Sequence, residues 1–269
     1  MPDLQLPDIN LHYEIDGSGP PLILIAGMLS DSASWGPLIA PLAAKHIVIR
    51  PDNRTTGRTT PSLAPTAPEQ NARDILALMD YLDIPKAHII GHSMGGYIAA
   101  ELAALTPERV NTLTLLCSAP INLPRSWHLF QSFCDIRKSG PEGLWLRSLF
   151  PWLFHHRFFD KPEQIEGAIA ASLAYPHVQS MNAMQHQLDA LKRYDPQGLI
   201  QRIKAPTLAL LAQSDLIVPY QEALDLLGQI TQADIQTIQN AGHSIHWDAP
   251  QAVLDALIPF LKEHSDEHG

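Results

Sequence analysis

A mostly parallel α/β sheet, covered by helices on both faces, is the fold class this sequence predicts. Three observations point to it. Short apolar runs alternate with amphipathic helical stretches along most of the chain. Several runs are apolar at consecutive positions, the pattern of a strand buried on both faces. The chain has 269 residues, 45% hydrophobic and 17% charged, which excludes a disordered chain and allows a large core without disulfides or metals.

Residues 11–15 alternate apolar and polar and predict the first strand. Residues 21–26, Pro-Leu-Ile-Leu-Ile-Ala, are almost wholly apolar and predict a doubly buried strand, followed by a helix over 37–45. The alternation continues with strand 47–50, helix 69–82, strand 87–90, helix 94–105 and strand 112–117. It resumes later with strand 207–212, helix 221–229, strand 234–238 and helix 250–264. Between these blocks, residues 121–195 show no convincing strand. Helical patterns at 164–173 and 178–193 are separated by Pro124, Pro141, Pro151, Pro162 and Pro176. The expectation is a helical cap, residues 121–195, inserted into a core formed by residues 1–120 and 196–269.

Charge narrows the partners. There are 18 Lys and Arg against 28 Asp and Glu, a formal net charge of −10, with no basic run to offset it. Phosphate backbones and anionic membranes are poor partners for such a surface. No stretch of about 18 apolar residues offers a membrane span. The N-terminus has no basic and apolar leader pattern, so the expectation is a cytoplasmic protein. Cys117 and Cys134 form no metal or disulfide spacing and are expected to be reduced and buried.

The chemistry concentrates at Gly91-His92-Ser93-Met94-Gly95-Gly96. This Gly-x-Ser-x-Gly lies between a predicted strand and a predicted helix, the setting of a nucleophile elbow. Small residues two before and two after the serine permit the tight turn. The serine hydroxyl then stands at a helix N-terminus, where free N–H groups favour a developing anion.

The sequence resembles the α/β-hydrolase-fold superfamily, as a serine esterase or lactonase with a helical cap. The resemblance rests on Ile25-Ala26-Gly27-Met28, on Asp52-Asn53-Arg54 with Gly57, on the elbow, on Ser214 to Pro219, and on Gly242-His243-Ser244-Ile245-His246. It covers nearly the whole chain outside the cap. It implies that Ser93 is the nucleophile and Asp215 the acid. His243, after the last strand and before the last helix, is the expected base, and the order Ser, Asp, His suits this fold. The N–H groups of Met94 and Met28 are the implied oxyanion donors. Most relatives have His-Gly where this chain has Ala26-Gly27-Met28, a departure that removes the histidine and keeps the backbone donor. Asp52 and Arg54 are expected to brace the oxyanion loop, and His92 and His246 to be structural. His12, His46 and His88, in or beside strands, are expected to be structural too. His264 and His268 lie in a polar tail and are expected to be solvated.

Of 18 aromatic residues, 11 lie between residues 121 and 195, where the charge is about +1. Trp127, Phe130, Trp145 and Trp152 are the expected substrate-binding rings. Arg125, Arg137, Arg147 and Arg157 are candidates for a substrate carboxylate. His155-His156 lacks further metal-ligand spacing, so no metal and no cofactor is expected. The expected activity is hydrolysis of a small-molecule carboxylic ester or lactone through an acyl-enzyme. Two alternatives stay open: a carbon–carbon bond hydrolase of the same fold, and a non-catalytic small-molecule-binding protein on that fold. Oligomeric state is not legible in the sequence.

Overall fold

The computed structural model describes residues 3–231 and 233–265. Its strands are β1 (Asp3–Gln5), β2 (Asn10–Gly17), β3 (Pro21–Ile25), β4 (Ile47–Pro51), β5 (Ala87–His92), β6 (Val110–Leu116), β7 (Thr207–Ala212) and β8 (Ala233–Ile238). They form one sheet in the order β1-β2-β4-β3-β5-β6-β7-β8. The β1–β2 and β2–β4 pairs are antiparallel, and every later pair is parallel.

The helices are α1 (Gly36–Ala43), α2 (Pro68–Tyr81), α3 (Met94–Leu105), α4 (Pro124–Ser139), α5 (Leu144–Leu153), α6 (Pro162–Ala174), α7 (Met181–Arg193), α8 (Tyr220–Leu227), α9 (Ile245–Asp248) and α10 (Pro250–Glu263). Side chains alternate across the sheet, so each strand feeds two cores. Ile23, Ile25 and Ile89 pack with α2, α3 and α8 on one face. Leu22, Leu24 and Ile90 pack with α1 and α10 on the other. The consecutive apolar positions of β3 and β5 are thus buried on both sides.

Every core strand predicted from the sequence is present, with ends shifted by one or two residues. The sheet adds β1, three residues with one buried side chain, too short to show a period. Between β6 and β7 lie four helices, where the sequence indicated two. Pro124 and Pro162, which looked like breaks, are the first residues of α4 and α6. Proline suits that position, because its missing N–H would have no helical acceptor there.

The parallel strands deliver their C-terminal ends to one edge of the sheet. The loops after β3, β5, β7 and β8 gather there, and such an edge is where α/β folds place their ligands. Among the described residues, no helix is long and apolar enough to cross a membrane.

Candidate active site

The elbow after β5 sets the first coordinate. Ser93 has φ 54° and ψ −122°, a strained conformation for a residue with a Cβ. Three bonds hold it: Ser93 N–H donates to Leu116 O at 3.0 Å, and Ser93 O accepts from Gly96 N–H at 2.9 Å and from Ser118 Oγ at 2.7 Å. The turn is possible because glycines flank it. A Cβ on Gly95 would lie 2.0 Å from Ile25 O, and one on Gly91 would lie 2.2 Å from Gly95 O. Both obstacles are backbone atoms that cannot step aside. Gly95→Ala is therefore expected to lower the unfolding free energy by more than about 3 kcal/mol. The urea midpoint measures it, and an unchanged midpoint would refute this account of the turn.

The loop after β8 brings His243 over the serine. His243 Nε2 lies 2.8 Å from Ser93 Oγ, and His243 Nδ1 lies 2.9 Å from Asp215 Oδ2. An ionised carboxylate only accepts, so Nδ1 carries the proton and Nε2 presents its lone pair to the Ser93 hydroxyl. Asp215, on the turn after β7, is held in turn. Its Oδ1 accepts from Ile217 N–H at 2.8 Å and Val218 N–H at 2.9 Å. His243 is only 2% exposed, so bulk water does not screen these contacts. The geometry joins a hydroxyl, an unprotonated ring nitrogen and an orienting carboxylate in one line. Such a line can transfer a proton from an attacking hydroxyl and return it to a leaving group.

Two further histidines lie behind His243, one in contact with it and the other packed on the first. His92 Nε2–H donates to His243 O at 2.8 Å, and its ring centroid lies 5.1 Å from that of His243. His246 meets His92 edge-on, with ring centroids 4.5 Å apart, and lies tilted 5.1 Å from Trp35. Burial, then the charge His243 could carry, pushes His246 down to about 3. Burial likewise holds His92 well below the ordinary histidine range. Both are packing residues, and both stay neutral where an ordinary histidine would titrate.

Below the usual 6.5, an unfolded His246 binds a proton that the folded one refuses until about pH 3. Folding stability from this group is therefore lost as pH falls through that window. His246→Asn removes the titration. The stability of wild type relative to the variant should fall by about 1.4 kcal/mol per pH unit between pH 6 and pH 4. Paired urea melts at those pH values check it, and a constant difference would contradict it.

The loop after β3 lies against the serine. A Cβ on Gly27 would be 3.1 Å from Ser93 Cβ. Asn53 Nδ2 donates to Ala26 O at 2.8 Å, and Asp52 Oδ1 accepts from Ser32 N–H at 2.9 Å. Arg54 is 1% exposed and anchors this brace by ion pairs to Asp74 at 2.5 Å and Asp8 at 2.6 Å. Met28 is half-buried beside Gly27, and Met94 opens α3, where a first-turn amide has no intrahelical acceptor. Met94 thus adjoins Ser93 along the chain, and Met28 adjoins Gly27, which packs against Ser93.

The four expected substrate rings sit elsewhere in the contact pattern. Phe130 packs edge-on against Phe133, and Trp145 lies under the Arg137 guanidinium at 4.5 Å. Both are buried among the helices between β6 and β7. Trp127 and Trp152 are half-buried against the same core. No hydrogen bond or ring contact joins any of them to Ser93, Asp215 or His243 among the described residues. Three of the four candidate arginines have other partners. Arg125 donates to Leu216 O at 2.6 Å, Arg137 to Gln179 O at 2.7 Å, and Arg147 pairs with Glu166. His264 is corrected: it packs on Phe260 with its Nδ1 2.9 Å from Phe260 O, rather than standing in solvent. His268 lies outside the described residues. His12 bridges Asp3 and Glu14, and His88 bonds Thr112 inside the sheet.

Cys117 lies beneath the site, with Sγ 3.7 Å from Gly242 O. Burial first, then the Asp215 carboxylate, pushes its thiol well up, so it is no rival nucleophile. Among the described residues, no group of three or more His, Cys, Asp or Glu is placed to hold a metal ion.

Sequence reasoning missed the groups that tie the site to the helices between β6 and β7. Ser126 Oγ donates to Ile217 O at 2.7 Å, on the turn that holds Asp215. Tyr175 OH donates to Asp31 Oδ2 at 2.7 Å, at the end of the loop that carries Met28. Asp248 Oδ2 accepts from Gly242 N–H at 2.8 Å and from His155 N–H at 2.8 Å. The partners are 91, 144 and 93 residues apart for the long-range ties, so no local pattern signals them.

Comparison with known proteins agrees with this geometry. The family model for the alpha/beta hydrolase fold matches residues 20–250. The RutD protein of Azorhizobium caulinodans, named as a carbamate hydrolase, is 30% identical over 98% of this chain and 99% of its own. A thermophilic esterase from Thermogutta terrifontis superposes with a TM-score of 0.85 at 25% identity, covering 98% of this chain and 99% of that one. The enol-lactonase of Burkholderia xenovorans LB400 shares the fold with a TM-score of 0.85 at 24% identity, over 97% and 100% of the two chains.

Proposed function

The chain belongs to the alpha/beta hydrolase fold family, and from that premise we propose that it is a serine hydrolase of small carboxylic esters or lactones. The observation that carries this reading is the unbroken line Ser93 Oγ, His243 Nε2, His243 Nδ1, Asp215 Oδ2, with contacts of 2.8 and 2.9 Å.

In the proposed mechanism, Ser93 Oγ attacks the substrate carbonyl carbon while His243 Nε2 takes the hydroxyl proton. The carbonyl π pair moves to oxygen, and the N–H groups of Met28 and Met94 stabilise that anion. Collapse of the tetrahedral intermediate breaks the bond to the leaving alcohol, which receives the proton from His243. Water then adds to the acyl-enzyme as His243 takes its proton, and collapse breaks the bond to Ser93 Oγ, which receives that proton as the acid departs. Asp215 stabilises the imidazolium throughout. Residues 121–195 act as a cap over this edge of the sheet, with Trp127, Phe130, Trp145 and Trp152 shaping its apolar interior.

A carbamate is a second reading, favoured by the relative named for that substrate. Its carbonyl is attacked in the same way, and only the acyl portion differs. Turnover of p-nitrophenyl acetate and butyrate, of a γ-lactone and of an aryl carbamate separates the substrates. Hydrolysis of the aryl esters, with an initial burst of p-nitrophenol, or of the lactone is expected. A protein inert to all of them would overturn the proposal.

A further inference from the structure

The base is fixed from outside its own loop. Gly242 precedes His243, and its N–H donates to Asp248 Oδ2 at 2.8 Å. The same oxygen accepts from His155 N–H at 2.8 Å, on the segment that follows α5. One carboxylate oxygen therefore spans the seam between the His243 loop and the helices between β6 and β7. A second tie runs beside it, from Ser244 N–H to Leu153 O at 2.8 Å. The two backbones are in close contact: a Cβ on Gly242 would lie 2.9 Å from both His155 N and Phe154 C. Charge-assisted bonds of this kind are the stronger sort, and a carboxylate accepts from two amides without strain.

We infer that Asp248 is a positioning residue for the base, setting His243 over Ser93 by locking the Gly242 amide to the segment 153–155. The inference rests on the triad reading of Ser93, His243 and Asp215. It makes the helical segment part of the machinery that aims the base. The other two ties, Ser126 to the acid turn and Tyr175 to Asp31, set the same frame around the acid and the oxyanion loop. Asp248 is distinct among them because it acts one residue from the base.

The aim of a base matters more than its presence. A displacement of about 1 Å costs on the order of 100-fold in rate. Asp248→Ala removes the acceptor, whereas Asp248→Asn keeps an oxygen that can accept both amides. A second variant breaks the tie from the other side. His155 has φ −63° and ψ 150°, and Phe154 before it is extended at φ −106°, ψ 150°, so the backbone accepts proline at 155. The proline has no N–H and puts its Cδ where the hydrogen was, which displaces the carboxylate. His155→Ala keeps the amide and serves as its control.

The measurement is inactivation of the full-length protein by a fluorophosphonate, resolved into the rate constant at saturation and the half-saturating concentration. Asp248→Ala and His155→Pro should lower the rate constant about 10- to 100-fold, with the half-saturating concentration within about twofold of wild type. Asp248→Asn and His155→Ala should stay within about threefold of wild type. Partial unfolding would reduce the fraction labelled and leave the rate constant per active site unchanged. Wild-type rate constants in Asp248→Ala, or an Asn variant as slow as the Ala variant, would overturn the inference while leaving the triad reading intact. A wild-type protein that is not labelled at Ser93 would overturn both.

Discussion

Ser93→Ala is expected to lower kcat/KM for an aryl ester by about 10⁴- to 10⁶-fold while the protein stays folded. The size of the effect follows from what is lost. No other nucleophile can take the place of Ser93 Oγ: the Cys117 thiol is buried and held protonated, and it faces Gly242 O. The residual rate would come from substrate binding and the oxyanion donors, which survive the substitution. The fold survives because Ser93 is held by its backbone N–H and C=O, not by its side chain. Comparable kcat/KM in wild type and variant would remove Ser93 from the reaction.

Asp215→Asn is the second large effect, about 10⁴-fold in kcat by the same logic of tautomer control. Among its donors are His243 Nδ1–H, Ile217 N–H and Val218 N–H. The two backbone amides demand an acceptor, so an asparagine places its oxygen there and turns its NH₂ toward His243. Nδ1 must then accept, which moves the ring proton to Nε2. The Ser93 hydroxyl faces an N–H instead of a lone pair, and proton transfer stops. The geometry is preserved and the chemistry is lost, so a wild-type contact pattern with a near-inactive protein is the expected combination. A variant within tenfold of wild-type kcat would show that Asp215 does not set the tautomer.

What the sequence revealed divides by distance along the chain. The elbow was legible because strand, Gly91 to Gly96 and helix are contiguous, and the steric demand falls on neighbours only two residues away. The strands were legible because doubly buried parallel strands leave apolar runs. Two helices of the 121–195 segment were not, because α4 and α5 carry Pro124 and Pro151, which look like interruptions. In fact Pro124 starts its helix, and Pro151 sits in the last turn of the other, which ends two residues later. The rings in that segment were visible by composition alone. Composition does not say which way a ring points, and Phe130 and Trp145 turn out to serve the segment's own packing. The ties through Ser126, Tyr175 and Asp248 exist only after the chain folds, since each joins residues about 90 or more positions apart.

The proposed reaction rests on a single reactive atom, Ser93 Oγ, activated by His243. Its most direct measurement is fluorophosphonate treatment of the native protein, followed by peptide mass mapping, with and without prior His243→Ala substitution. Stoichiometric addition at Ser93 in the wild type, and its loss when His243 is replaced, is the predicted result. Absence of an adduct, or an adduct on any residue other than Ser93, would contradict it.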